Sequence, residues 1–334
     1  RFLRQYYNAF REELNAPHRS EDDKAEFPIG YLATKSTLLD IYEKLIKFGY
    51  KAFLDDLEQK AEIYSVLINN ANDEDKIDEL EKSLEDLEHI QGAPSYILLL
   101  YLVSNKDYYS LSYDDINTVV QFLVKFFVRR NFTDFPNTRN LTKIFMDTVS
   151  LIRGKAGENI IEIISSYLKS QSSSDADFES KLRDDVYLIN VDSTRFLLCY
   201  YENRFTTKEI HTNLWERDSH NKYVWTIEHI FPEGENVPNE WVYMIAAGDR
   251  VKANEYREKY THKLGNLTIT GYNSNLSNLS FENKKNRKKD DNYIGYKNGL
   301  KLNEDVVLKS AWTIDDIKTR TDQLVESFLT EFKM

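Results

Sequence analysis

The chain has a single cysteine, Cys199, among 334 residues. One thiol cannot close an internal disulfide, nor can it build a four-cysteine zinc site. It stands in the apolar run 196–201, where a small buried hydrophobe is the ordinary role. A reducing, cytoplasmic setting is expected, and Asn-x-Ser/Thr triplets such as 140–142 are then chance matches, since no secretory signal accompanies them. Glycine and proline are scarce, at 11 and 6, which suits a helix-rich chain. No apolar run reaches the ~18 residues that cross a bilayer. The richest, 96–103, is far too short, so no membrane partner is expected. The first residue is Arg1, without a Met or a signal-peptide pattern, and the chain reads as a piece of a longer protein.

What remains is a charged chain with an ordinary apolar content of 41%. Its length suggests two domains, at ~100–200 residues each. The net charge of −11 argues against a generic nucleic-acid coat. The charge is unevenly spread, however. Residues 73–88 hold nine acids and two lysines, whereas 249–301 hold twelve Lys/Arg and six Asp/Glu. A local basic field can serve a polyanion even on an acidic protein.

Residues 1–205 read as a mainly α-helical domain. In 73–89, Ile77, Leu80, Leu84 and Leu87 recur at spacings of three and four with acids between them, giving one apolar stripe and one solvated acidic face. Segments 95–103, 116–129, 141–152, 178–188 and 194–201 continue the helical pattern, and the serine-rich stretch 169–177 is the best internal loop. The texture changes near 203–208, which sets the expected boundary, leaving 206–334 as a small α+β domain. There, 223–227 and 267–270 read as short strands joined by a long connection, and 274–289 reads as a polar helix with a basic end.

The chemistry concentrates in this second region. Trp225-Thr-Ile-Glu-His-Ile-Phe-Pro232 ends a strand on an acid and a histidine before a proline loop. Lys263-Leu-Gly-Asn-Leu-Thr-Ile-Thr270 and Gly271-Tyr-Asn-Ser-Asn-Leu-Ser-Asn278 follow. Hydrolysis of a phosphodiester needs a group that takes a proton from water, something that offsets charge on the phosphate, and contacts that hold the strand. Histidine, with a pKa near ~6.5, suits the first. A hard divalent ion on oxygen ligands such as Asn and Glu suits the second. Lysines and backbone amides suit the third. The basic residues Lys284, Lys285, Arg287, Lys288 and Lys289 then track phosphate, or else form a solvated helix end that complements the helix dipole.

These motifs resemble the His-Me-finger (HNH-type) nucleases. More narrowly, Glu-His-Ile-Phe-Pro, His-Lys-Leu-Gly-Asn-Leu-Thr and Asn-x-x-Leu-Ser-Asn-x-x-Phe-x-x-Lys resemble the C-terminal nuclease domain of GmrSD-type enzymes. Those are modification-dependent (type IV) restriction systems, and related chains act in phosphorothioate-linked anti-phage defence. Phe2-Leu-Arg-Gln-Tyr-Tyr and Phe126-Phe-Val-Arg-Arg-Asn resemble the helical middle of such fused proteins. The resemblance implies a ββα-metal fold in 206–334 behind a helical docking or gating domain. It makes His229 the general base, Glu228 a metal ligand, and Asn266 the residue that braces the hairpin loop and orients His229. Asn273, Asn275 and Asn278 compete for the metal position on the helix, with Asn273 preferred and Asn278 second. His262 either contacts phosphate or holds the loop.

The implied cofactor is Mg2+ or Mn2+, and the implied partner is DNA of phage or modified origin. An NTP-dependent sensor domain with an Asp-Gly-Gln-Gln-Arg-like motif normally precedes such chains, and no such stretch is found here. A double-strand cut from one site per chain would call for two events or a homodimer. Many HNH nucleases carry a zinc-binding cysteine scaffold. With one cysteine no structural zinc is expected, and the hairpin must be held by packing, through Trp225, Trp241 and Tyr272. A zinc site from His211, His220, His229 and His262 is irregularly spaced and disfavoured. The alternatives to a nuclease are a catalytically silent DNA-binding module and a regulatory interaction domain.

Overall fold

Helices account for most of the computed structural model, which describes residues 1–16, 32–47, 50–69, 78–206 and 212–334. The chain divides into two compact units. One comprises Arg1–Arg130, Asp134–Ser173 and Met334; the other comprises Asn131–Thr133 and Ser174–Lys333.

The first unit contains α1 (Phe2–Asn15), α2 (Leu38–Lys47), α3 (Tyr50–Asn69), α4 (Asp78–His89), α5 (Tyr96–Ser104), α6 (Tyr113–Thr133, its last turn aside), α7 (Thr138–Ile152) and α8 (Ile160–Ser170). The apolar run read from the sequence is α5. It is hydrophobic on every side, so it must be enclosed. Accordingly Ile97, Leu98, Leu99, Leu100 and Leu102 are buried, and α1, α3 and α7 pack around them. Ser112 starts α6 with a capping box, accepting from the Asp115 backbone N–H while Asp115 accepts from the Ser112 N–H at 2.8 Å. Leu80, Leu84 and Leu87 form the buried stripe of α4, as their spacing requires. The acids at 73–75 and Ile77 lie outside the described residues.

The second unit starts with α9 (Asp175–Leu182), α10 (Val186–Ile189) and α11 (Val191–Asn203). It continues with β1 (Thr226–His229), α12 (Asn239–Ala246), α13 (Arg250–Tyr260), β2 (Leu267–Thr270), α14 (Asn273–Leu276) and α15 (Phe281–Asn286). A small hairpin of β3 (Lys288–Lys289) and β4 (Asn292–Tyr293), then α16 (Glu304–Val307) and α17 (Ile314–Glu331), complete it. Among its described residues the unit is mainly α with two two-stranded sheets, in keeping with the mainly α class with a small α+β domain that the sequence implied. The boundary read at 205/206 lies inside this unit. The physical reason is that α11 packs on β2 and the Arg195 guanidinium donates to the Trp225 carbonyl oxygen at 3.0 Å, so helices 175–203 share a core with the hairpin. The serine-rich loop stands where the two units divide.

β1 and β2 are antiparallel, with His229 opposite Leu267 and Glu228 opposite Thr268. The second strand matches the sequence reading, and the first is displaced toward His229. The expected helix over 274–289 is broken in two. Ser277 adopts φ 35°, and the Ser280 hydroxyl caps α15 by accepting from the Asn283 N–H. Asn and Ser side chains compete for backbone hydrogen bonds in this way and favour caps over helix interiors.

Packing holds the hairpin, but only one of the three expected aromatics does the enclosing. Trp241 is fully buried and donates its indole N–H to the Leu279 carbonyl at 2.8 Å. Tyr272 is exposed and Trp225 only half-buried. Trp312 joins the core instead, stacked on Phe281 at 5.9 Å. Gly265 explains a fixed feature of the second motif. A Cβ there would lie 2.1 Å from the Ile317 carbonyl oxygen, so only glycine lets the turn before β2 sit against the backbone of α17.

Candidate active site

Glu228 and His229 leave β1 on opposite faces, because successive side chains of a strand alternate. The two faces differ in chemistry.

On one face, Glu228 is sealed in. Its Oε1 accepts from the Lys284 ammonium at 2.6 Å and from the Tyr296 hydroxyl at 3.3 Å. Lys284 is fully buried and also donates to the His229 carbonyl at 2.7 Å. Gly295 permits this closeness, since a Cβ there would fall 1.9 Å from the Lys284 carbonyl oxygen. Burial pushes the Glu228 carboxyl up and the Lys284 ammonium down, and each charge offsets the other's shift.

On the other face, His229 meets His262 and Glu233. The His229 Nε2 lies 3.3 Å from the His262 Nδ1, and the His229 Nδ1 lies 3.7 Å from Oε2 of Glu233. Tyr187 of α10 packs its ring edge-on against His229 at 4.6 Å and stacks on His262 at 5.4 Å. Lys263 ties the same segments together through Asp185 at 3.1 Å. His229 is buried while Glu233 is exposed, so the cluster opens outward at the carboxylate. Burial, then the neighbouring His262 and Lys284, push the His229 imidazole down to about 3. Burial lowers His262 as well, against the pull of Glu233 and Asp185. His229 is therefore neutral near pH 7, with a lone pair on one ring nitrogen.

Asn266 is a brace. Its Nδ2 donates to the Phe231 and Thr261 carbonyls, both at 2.9 Å, and its Oδ1 accepts from the Phe231 N–H at 2.8 Å and the Trp312 indole at 3.2 Å. It thereby joins the residues just after His229 to those just before His262. Asn273 donates to the Ile227 carbonyl at 2.7 Å and so stiffens β1. Asn278 is exposed, and its amide lies against Gly234, where a Cβ would come within 3.1 Å of Nδ2.

Several residues expected at the site stand apart from this arrangement. Glu228, read as a metal ligand beside the histidine, faces Lys284 on the far side of the strand. Lys284 and Lys285, read as part of a phosphate-tracking helix end, are both buried. Lys285 donates to the Lys309 carbonyl at 3.0 Å and pairs with Glu282 at 2.9 Å. Only Arg287, Lys288 and Lys289 of that run are exposed. They lie at and beside the β3–β4 hairpin, next to Asp290 and Asp291. Of the four histidines weighed for zinc, His229 and His262 come together, His220 is exposed, and His211 lies outside the described residues.

Two residues of the cluster escape a reading of the sequence. Glu233 follows the histidine by four positions in the proline loop, a spacing that could have flagged it. Tyr187 carries no local signal, because it belongs to a helix that the expected boundary puts in the other domain.

Among the described residues, His229, Glu233 and His262 are the group able to hold a metal ion, with ligand atoms all within 4.8 Å of one another. Residues 172–327 match the model of a protein family described as GmrSD restriction endonucleases, C-terminal domain. The match takes in nearly all of the second unit and every residue of the cluster. No curated protein matches the chain. No helix among the described residues is long and apolar enough to cross a membrane.

Proposed function

We propose that the second unit is a metal-dependent DNA endonuclease of an anti-phage restriction system, in which His229 takes the proton from the water that attacks the phosphodiester. The observation that carries this reading is a buried imidazole at the end of a paired strand, flanked by an exposed carboxylate, within a region that matches a restriction-endonuclease domain.

The roles follow from the contacts. The Glu233 carboxylate faces the His229 Nδ1, and Tyr187 limits rotation of the ring. Asn266 and Asn273 set the strand end that carries His229. Burial makes His229 a weak base on its own. A phosphodiester anion beside it favours the imidazolium and raises its basicity where proton transfer is needed. Arg287, Lys288 and Lys289 supply exposed positive charge for phosphate contacts, which position DNA without reading its sequence.

A bound Mg2+ or Mn2+ would offset charge on the phosphate. Glu228 does not fit as its ligand, because its carboxylate already holds Lys284. Glu233 does fit, being an exposed carboxylate next to the base, and the Asn278 amide lies against Gly234, the next residue of the same loop. Mg2+ commonly binds through one or two carboxylates with substrate phosphates and water completing its shell.

Supercoiled plasmid incubated with the chain and Mg2+ or Mn2+ tests the proposal. Conversion to nicked or linear DNA, lost with EDTA and with His229→Ala, supports it. DNA binding without cleavage under any metal would favour the silent binding module instead.

A further inference from the structure

We infer that His229, His262 and Glu233 form a transition-metal site, and that a zinc ion bound there occupies the ring nitrogens the nuclease needs and shuts it off. The zinc site stands on its own geometry; the inhibition rests on the nuclease reading.

The His262 Nδ1 and His229 Nε2 lie 3.3 Å apart. Two nitrogens bound to one tetrahedral zinc at ~2.0–2.1 Å lie about 3.3 Å apart. The pair therefore spans one edge of such a tetrahedron without moving. Glu233 supplies the third donor within 4.8 Å of the others. Its side chain is 55% exposed, so it can close on an ion at little steric cost. Tyr187 packs on both imidazoles and limits their rotation, so the nitrogen donors are set before an ion arrives.

The donor set selects the metal class. Two imidazoles and one carboxylate suit zinc and its neighbours, whereas Mg2+ prefers an all-oxygen shell. Three protein ligands would leave a tetrahedral ion one further position, for water. A magnesium ion held through Glu233 leaves both imidazoles free. A zinc ion on the full set removes the lone pair of His229. The two metals are thus antagonists at one carboxylate.

The full chain, stripped of metal, is dialysed against graded Zn2+, and bound zinc is measured by atomic absorption. The wild type is expected to bind about one equivalent. His262→Asn and Glu233→Gln are expected to weaken binding by more than the ~10–100-fold typical of outer-shell partners. Both positions are solvent-accessible, and circular dichroism verifies that the variants fold. Zinc binding that is absent in the wild type, or unchanged in both variants, overturns the site. Plasmid cleavage in excess Mg2+ is then followed as Zn2+ is added. Loss of cleavage near one equivalent, reversed by a zinc chelator, supports inhibition; cleavage that persists at full zinc occupancy overturns it. A chain that binds zinc through these residues yet cuts DNA under no metal overturns the nuclease reading and the inhibition, while the zinc site stands.

Discussion

Glu228 and His229 are neighbours in the chain, but the strand turns one inward to an ammonium and the other outward to an imidazole and a carboxylate. The inward cluster is closed: Glu228, Lys284 and Tyr296 are almost wholly buried and bonded to one another. The outward cluster is open at Glu233. A buried ion pair is costly to break, because removing one partner leaves the other charge uncompensated. An open group of neutral imidazoles keeps donors available for a proton, a metal or a phosphate. An acid–histidine pair on a strand is thus divided by the pleat between a sealed environment and an open one.

The largest effect that would sharpen this contrast is on activity. His229→Ala is expected to lower metal-dependent plasmid cleavage by about 10²–10⁴-fold, the range for a general base, with the helical signal intact. Cleavage at the wild-type rate would break the comparison. On the closed side, Lys284→Ala is expected to destabilise by ~3–5 kcal/mol in urea unfolding, since it leaves the buried Glu228 without its cation and the His229 carbonyl without its ammonium donor. The double change Glu228→Gln with Lys284→Met should recover much of that loss, as apolar replacement of a buried pair often does.

A smaller effect separates the two faces by pH. The folded His229 titrates near 3, below its ordinary 6.5, so the unfolded chain takes the proton first. Its contribution to stability is whole above pH 6.5 and is lost as pH falls toward 3. Urea midpoints measured across that window should therefore fall in the wild type and fall less steeply in His229→Asn. The smallest effect concerns the surface. Replacing Arg287, Lys288 or Lys289 with Ala should reduce the salt dependence of DNA binding by about 0.9 in log–log slope for each phosphate left without its cation. Lys285→Ala should leave the slope unchanged, because Lys285 is buried.

Much of this was legible in the sequence, for reasons that are local. Period and apolar content identify the enclosed helix α5 and the stripe of α4, because both are set by spacing along the chain. The second strand was readable because its β-branched residues and the turn residues beside it fall in one short stretch. The basic run misled for an equally physical reason. A lysine's charge is visible in sequence, but whether it meets solvent or a buried carboxylate depends on what packs over it. Gly295 and Tyr296 bring the chain back across Lys284 and decide that question.

The sequence by itself determined the helical character and the short second strand, since each follows from residue type and near-neighbour spacing, while the family resemblance implied the strand's pairing partner and a histidine placed for proton transfer. Only the tertiary structure decided which groups surround that histidine. Glu233, His262 and Tyr187 arrive from a loop, a helix end and a helix far upstream, and their convergence is fixed by packing across the core rather than by any pattern along the chain.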